Sequence, residues 1–142
     1  TQGVSSAASD VYKIKPESSY FRKREMLYNL NLAKNSARQK KNLLICEGYM
    51  DVISLFQNNI KSVVAPLGTS FTENQLELSW KYSDKPTIMF DGDEAGQMAA
   101  TKVESICDQL GMAHQTIKLK QGNDPGNFTD KGVATLKRRL YG

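Results

Sequence analysis

The sequence predicts an α/β protein: an open parallel sheet with helices on both faces, preceded by a basic helical segment. Short continuous apolar runs recur as LLIC at 43–46, SVVA at 62–65 and TIMF at 87–90. Each is followed by a stretch of helical periodicity. A parallel neighbour is reached only by crossing back over the sheet, so strands and helices must alternate, and a strand covered on both faces reads as an unbroken apolar run.

Taken in order, the chain begins at Thr1 without a methionine and opens TQGVSSAASD, small and polar. Residues 1–9 are therefore expected to be disordered or an expression scar, and the chain a piece of something longer. From Arg24 to about Lys40, Met26, Leu27, Leu30 and Ala33 recur at three-to-four spacing, which predicts a helix with Arg22, Lys23, Lys34, Arg38, Lys40 and Lys41 crowded in or beside it. The first apolar run leads into a helix from about Met50 to Asn58. The second leads into a helix opening at Thr72, where Thr72 to Gln75 has the spacing of a capping box. After the third run a helix extends from about Glu94 to Leu110, ended by Gly111. HQTIKL at 114–119 predicts the fourth strand, and Val133–Leu140 a last helix.

With 142 residues, 39% of them apolar, the chain is long enough for one core. No apolar run approaches the ~18 residues that a bilayer-spanning helix needs, so a soluble protein with no membrane partner is expected. Cys46 and Cys107 lack a CxxC partner and are expected to be reduced core residues, with no zinc site. Charge is segregated: residues 1–41 hold nine Lys/Arg against three Asp/Glu, residues 42–130 six against twelve, and residues 131–142 four against none. An acidic middle between basic arms is the layout of an enzyme acting on nucleic acid, although solvated helix faces would give the same count.

Parallel strands of an open sheet end on one edge, and sites form beyond their carboxyl ends. The first run ends in Cys46-Glu47-Gly48 and the third in Phe90-Asp91-Gly92-Asp93, with Asp51 one turn into the helix after the first. Four carboxylates at one edge repel each other unless cations neutralise them, and all-oxygen ligands select Mg²⁺ or Mn²⁺. Asp93 also fits the N-cap of the helix that follows it, and Gly48 and Gly92 fit either close ligand approach or plain turns. Gly68, Thr69 and Ser70 lie in the loop after the second run, where free amides and hydroxyls suit a phosphate as well as they suit a turn. His114, Trp80 and Tyr82 are expected to be structural.

Together EGYMDVISL (47–55), LGTSFT (67–72) and FDGDEAG (90–96) resemble the Toprim domain of DnaG-type bacterial primases, a Rossmann-like fold. That family carries a glutamate after its first strand and a DxD after its third. EGYMDV is the more specific string, since Toprim topoisomerases, recombination mediators and nucleases share only the glutamate and the DxD. The upstream KPESSYFRKREMLYNLNLAK (15–34) is similar to the segment joining the primases' basic N-terminal subdomain to the Toprim fold. The implied organisation is the end of that subdomain at 1–41, a Toprim catalytic domain at 42–130 and a basic C-terminal helix at 131–142.

What the resemblance implies is synthesis of RNA primers for DNA replication: nucleotidyl transfer from ribonucleoside triphosphates on a single-stranded DNA template. Glu47, Asp91 and Asp93 match the acidic core, with Asp51 in the same network, Asp124 as a further metal residue and two or more Mg²⁺ or Mn²⁺ ions. The family's DPD reads Asp124-Pro125-Gly126 here, so a metal at that point would be held by fewer charges, or by Asn127 or Asp130. Lys23 and Lys34 match lysines placed to meet template or nucleotide phosphate, and Arg24 and Arg38 would add contacts that do not read sequence. The implied location is cytoplasmic, at the replication fork, with a replicative helicase engaged through regions absent here. The zinc module of such primases has no cysteine and histidine set in this chain, so a weak or inactive catalytic-core fragment is expected. A Toprim nuclease or topoisomerase module and a non-catalytic nucleic-acid-binding domain remain the alternatives.

Overall fold

The computed structural model describes residues 23–68 and 70–142. Expectations that fall on residues 1–22, Arg22 among them, and on Thr69 lie outside these. The described chain runs α1 (Leu30–Lys40), β1 (Leu44–Ile45), α2 (Tyr49–Gln57), β2 (Val63–Val64), α3 (Glu73–Trp80), β3 (Thr87–Ile88), α4 (Glu94–Gln109), β4 (Gln115–Thr116) and α5 (Asp130–Tyr141). The four strands form one parallel sheet in the order β2-β1-β3-β4. From β1 the chain crosses to β2 on one side, then returns to place β3 on the other. The gap between the carboxyl ends of β1 and β3 is therefore the topological switch point of the sheet.

Strand alternation divides the core in two. Leu43, Ile45, Val64, Ile88 and Phe90 face a layer closed by α1, α3 and α4, through Ala33 and Ala37, Leu76, and Ala100, Val103 and Cys107. Leu44, Cys46, Val63, Ala65 and Met89 face the opposite layer, closed by α2 and α5 through Val52, Leu55, Val133, Leu136 and Leu140. Both cysteines are buried and free. Each fully buried Leu or Ile contributes roughly 2 kcal/mol of hydrophobic stabilisation, so both layers are needed. Among the described residues no helix is long and apolar enough to cross a membrane.

Two expectations need correction. The helix expected over 24–40 is broken: residues 23–25 are helical, but Asn29 turns to φ 71° and α1 begins only at Leu30. The intervening Tyr28 forms an antiparallel bridge with Ala65, its amide 2.7 Å from the Ala65 carbonyl, while Asn29 Nδ2 donates to Val63 O at 3.0 Å. The edge of β2 offers backbone partners that outcompete helical continuation, and asparagine tolerates the left-handed turn this requires. The fourth strand, expected over 114–119, is paired only around Gln115–Thr116. Beyond the Ile117 amide, which donates to Ile88 O at 2.9 Å, its chain leaves the ladder.

The capping box is present: Gln75 N donates to Thr72 Oγ1 at 3.2 Å and Thr72 N to Gln75 Oε1 at 3.0 Å. Its side chains also do something local spacing does not reveal. Buried Gln75 donates through Nε2 to the carbonyls of Lys23 and Met26, each at 2.9 Å, and Thr72 Oγ1 donates to Arg24 O at 2.6 Å. Residues 23–26 are thereby pinned to the start of α3.

At the amino edge a buried polar chain ties strands to α5. Asn42 Nδ2 donates to Leu140 O at 2.8 Å, Thr87 Oγ1 donates to Asn42 Oδ1 at 3.0 Å, and Gln115 Nε2 donates to Thr87 Oγ1 at 2.6 Å. Replacing Asn42 by leucine strands a hydroxyl and a helix-end carbonyl away from water. We expect Asn42→Leu to cost about 2 kcal/mol and to lower the melting temperature by roughly 5 °C, read by circular dichroism. An unchanged melt would show the chain to be dispensable.

Candidate metal centre at the carboxyl edge of the sheet

Glu47 and Asp91 meet at the switch point. Glu47 leaves β1 after the buried Cys46, Asp91 leaves β3 after the buried Phe90, and Glu47 Oε1 accepts a hydrogen bond from the Asp91 amide at 3.1 Å. Two glycines hold this edge together by close approach. A Cβ on Gly96 would lie 2.3 Å from the Asp91 carbonyl, so the first turn of α4 seats directly on Asp91, where Gln97 Nε2 also donates to Asp91 O at 2.8 Å. A Cβ on Gly92 would lie 2.0 Å from the Lys120 carbonyl, and the Gly92 amide donates to Asn123 O at 2.9 Å. The loop leaving β4 therefore rides over Gly92 and carries Asp124 within electrostatic reach of Asp91. Here the close approach at Gly92 is by the protein's own backbone.

Two of the three flanking carboxylates are held by backbone amides. Asp93 is the N-cap of α4, its Oδ1 accepting from Gly96 N at 2.7 Å. Asp124 Oδ1 accepts from Gly126 N at 2.7 Å in a local turn. Asp51 lies in the first turn of α2, three residues after the N-cap Gly48. Asp91 differs: its Oδ1 is buried and, among the described residues, has no hydrogen-bond partner.

The electrostatics follow from this crowding. Burial, then the charges of Asp91, Asp124 and Glu47, push the Asp51 carboxyl up to about 6, against the opposing pull of the Gly48 amide. Burial also raises Asp91, helped by the charges of Asp124 and Asp93. Burial raises Glu47 as well; the Asp91 amide opposes this, while the Asp91 and Asp93 charges reinforce it. The Cys46 thiol beneath them is pushed well up by burial and by the same carboxylates.

Among the described residues no three carboxylate, histidine or thiol side chains form a ready-made metal cage. The acids sit on three separate connections, after β1, β3 and β4, and interact through space. The donor chemistry nonetheless fits a hard divalent cation: only oxygens are on offer, they repel one another, and a buried oxygen of Asp91 lacks a partner.

Beside Glu47 opens a cleft of about 700 Å³ whose walls include Gly68, Ser70, Phe71, Phe90 and Lys102. Gly68, at φ 71°, and Ser70 thus face the same space as Glu47. The stacked Phe71 and Phe90 rings, 6.1 Å apart, and Lys102 escaped the sequence reading; Lys102 shares a helical stripe with Ala99, Val103 and Ile106, which was the available signal. Lys23 and Arg24, pinned at the start of α3, are held where the chain leaves β2, on the carboxyl side of the sheet. Lys34 lines a separate groove with Leu30, Leu78 and Tyr82. Arg38 lies in the last turn of α1, leading towards the amino end of β1, with its guanidinium 4.8 Å over the Tyr82 ring. It is not brought to the acidic edge. Trp80 donates to Ala113 O at 2.7 Å, and His114 Nδ1 lies 3.1 Å from Met112 O.

Raised carboxyl pKa values mean that the folded chain binds more protons than the unfolded chain between about pH 4 and pH 6, so stability is lost as pH rises through that window. With metal chelated, Asp51→Asn should raise the melting temperature at pH 7 by about 3 °C, corresponding to about 1 kcal/mol once solvent screening is allowed for, and should change little at pH 4. Equal effects at both pH values would contradict the repulsion. Gly92→Ala should destabilise by about 2 kcal/mol, because the Lys120 carbonyl must move. A melt matching the parent would show that the loop yields freely.

Residues 44–129 match the Toprim-like family model. Among curated relatives, a DNA primase of Clostridium acetobutylicum is 41% identical over 130 residues, which is 91% of this chain and 22% of the relative. Among solved structures, the zinc-binding and RNA polymerase domains of the Aquifex aeolicus primase align with a TM-score of 0.77 at 35% identity, covering 83% of this chain and 30% of that one. A DnaG primase catalytic domain bound to single-stranded DNA aligns with a TM-score of 0.69 at 32% identity, covering 83% and 38%. The chain spans about a quarter of the length of the curated relatives it matches. With its four parallel strands and its acidic switch point, the chain belongs to the Toprim-like family, and within that family its likeness is to the catalytic cores of bacterial DNA primases.

Proposed function

We propose that this chain is part of the catalytic core of a DNA primase, a DNA-directed RNA polymerase that joins ribonucleotides on a single-stranded DNA template. One observation carries the reading: Glu47 bound to the Asp91 amide at the switch point, beside an Asp91 oxygen that is buried and unpartnered. The names of the relatives and solved structures support it. On this reading residues 1–41 end a preceding basic subdomain, 42–130 form the Toprim unit and 131–142 a basic C-terminal helix.

Glu47, Asp91 and Asp93 form the acidic core, and Asp51 and Asp124 complete the donor set for Mg²⁺ or Mn²⁺, two or more ions in all. Such ions, when bound, supply positive charge for activating a 3′-hydroxyl and for neutralising a departing pyrophosphate. The protein's part is positional. Backbone amides of Asp91, Gly96 and Gly126 aim the carboxylates of Glu47, Asp93 and Asp124 and keep one oxygen of each engaged. The cleft beside Glu47 offers Gly68, Ser70 and Lys102 to a nucleotide, with Phe71 and Phe90 as its apolar wall. Lys23, Arg24, Lys34 and Arg38 are the cations proposed for the template or nucleotide phosphates. RNA primer, ribonucleoside triphosphates and, through other regions of a longer protein, the replicative helicase are the partners, in the cytoplasm at the fork.

Manganese binding tests the reading. At about 100 times its dissociation constant, Mn²⁺ should stabilise the chain by about 2.7 kcal/mol, and Asp91→Asn should abolish most of that gain. Equal stabilisation of parent and variant would place the ion elsewhere and remove the ground for nucleotidyl transfer.

A further inference from the structure

A second groove, of about 570 Å³, opens between the end of β4 and α5. Lys118, Lys120, Lys131 and Arg139 line it, all four are exposed, and among the described residues no acidic side chain lines it. Among the described residues none of the four makes an ion pair. Uncompensated like charges cost stability through repulsion, and a groove that gathers four of them is an electrostatic complement to a polyanion. Asn123 and the half-buried ring of Phe128 share the walls, a hydrogen-bonding group and an aromatic face among the cations.

Its position gives this charge a direction. The Lys120 carbonyl is the backbone that presses on Gly92, and the Asn123 carbonyl accepts from the Gly92 amide at 2.9 Å. One end of the basic groove is therefore the same loop that forms a wall of the acidic centre. The geometry points to a track for the phosphate backbone of a single nucleic-acid strand, running from the acidic centre along the open edge of the sheet and held by Lys118, Lys120, Lys131 and Arg139. The inference rests on the reading of the chain as one that acts on nucleic acid, and it assigns a path on the side of the sheet away from Lys23 and Arg24. Phosphate contacts of this kind hold DNA and RNA alike.

Fluorescence anisotropy of labelled single-stranded DNA and RNA oligonucleotides of one sequence tests it, with the full 142-residue chain titrated at several salt concentrations. Each phosphate contact to a single strand adds about 0.7 to the slope of log affinity against log salt. The fourfold variant Lys118→Gln, Lys120→Gln, Lys131→Gln, Arg139→Gln should flatten the slope by roughly 2 to 3 and weaken binding at least about tenfold at low salt. The charge-keeping variant Lys118→Arg, Lys120→Arg, Lys131→Arg, Arg139→Lys should bind as the parent does. Binding of either polymer through these cations supports the track. An unchanged slope in the Gln variant, or a parent that binds neither polymer, overturns it. The Mn²⁺ titration reads the acidic centre separately, so the track can fail while the proposed function stands.

Discussion

The structure depends on how like charges are made to share one edge of a sheet. Burial, reinforced by the charges of neighbouring carboxylates among Glu47, Asp91, Asp93 and Asp124, raises the proton affinity of Glu47, Asp51 and Asp91. Such a group would spread apart if its members were free to move. Glu47, Asp93 and Asp124 are instead moored to peptide N–H groups, each adding a charge-assisted hydrogen bond that repulsion must overcome. The mooring of Glu47 to the Asp91 amide matters most, because it joins the carboxyl ends of two adjacent strands 44 residues apart in the chain.

That mooring needs backbone to come close to backbone, which is the work of Gly92 and Gly96. The DGDEAG string serves two ends at once: its aspartates supply charge, while its glycines let the β4 loop and the start of α4 press against Asp91. A sheet of strands only two residues long has little ladder with which to resist distortion, so its two edges are stabilised separately. The amino edge is closed by the hydrogen-bonded Asn42, Thr87, Gln115 and Leu140 carbonyl, and holds no crowded charge. Stability and chemistry thus occupy opposite ends of the same strands.

The basic residues do not act as one patch. Gln75 and Thr72 clamp the backbone around Lys23 and Arg24 near the end of β2, Arg38 covers Tyr82 in the last turn of α1, and the α5 cations face the groove beside β4. Runs of positive charge that look alike in sequence are separated by the direction of the helices carrying them. Of the cations singled out from sequence, Lys23 and Arg24 have their backbone held at the start of α3, whereas Lys118 and Lys120, from the acidic middle of the chain, precede the turn that carries Asp124.

Residue order alone determined the alternation of strands and helices, the capping box at Thr72, the stop at Gly111 and the pairing of Glu47 with Asp91 at one edge. These follow from periodicity, from local hydrogen-bond geometry and from the rule that parallel strands end together. The family likeness was legible in EGYMDV and FDGDEAG for the same reason: such strings are short and continuous. Only the tertiary structure decided that the segment before α1 breaks at Asn29, that Gln75 clamps residues 23–26, that Gly92 is filled by the Lys120 carbonyl and that Arg38 points away from the acids. Each of these depends on a partner tens of residues distant, on the β2 edge, in the β4 loop or beyond α3, and no local pattern encodes what such a partner will offer.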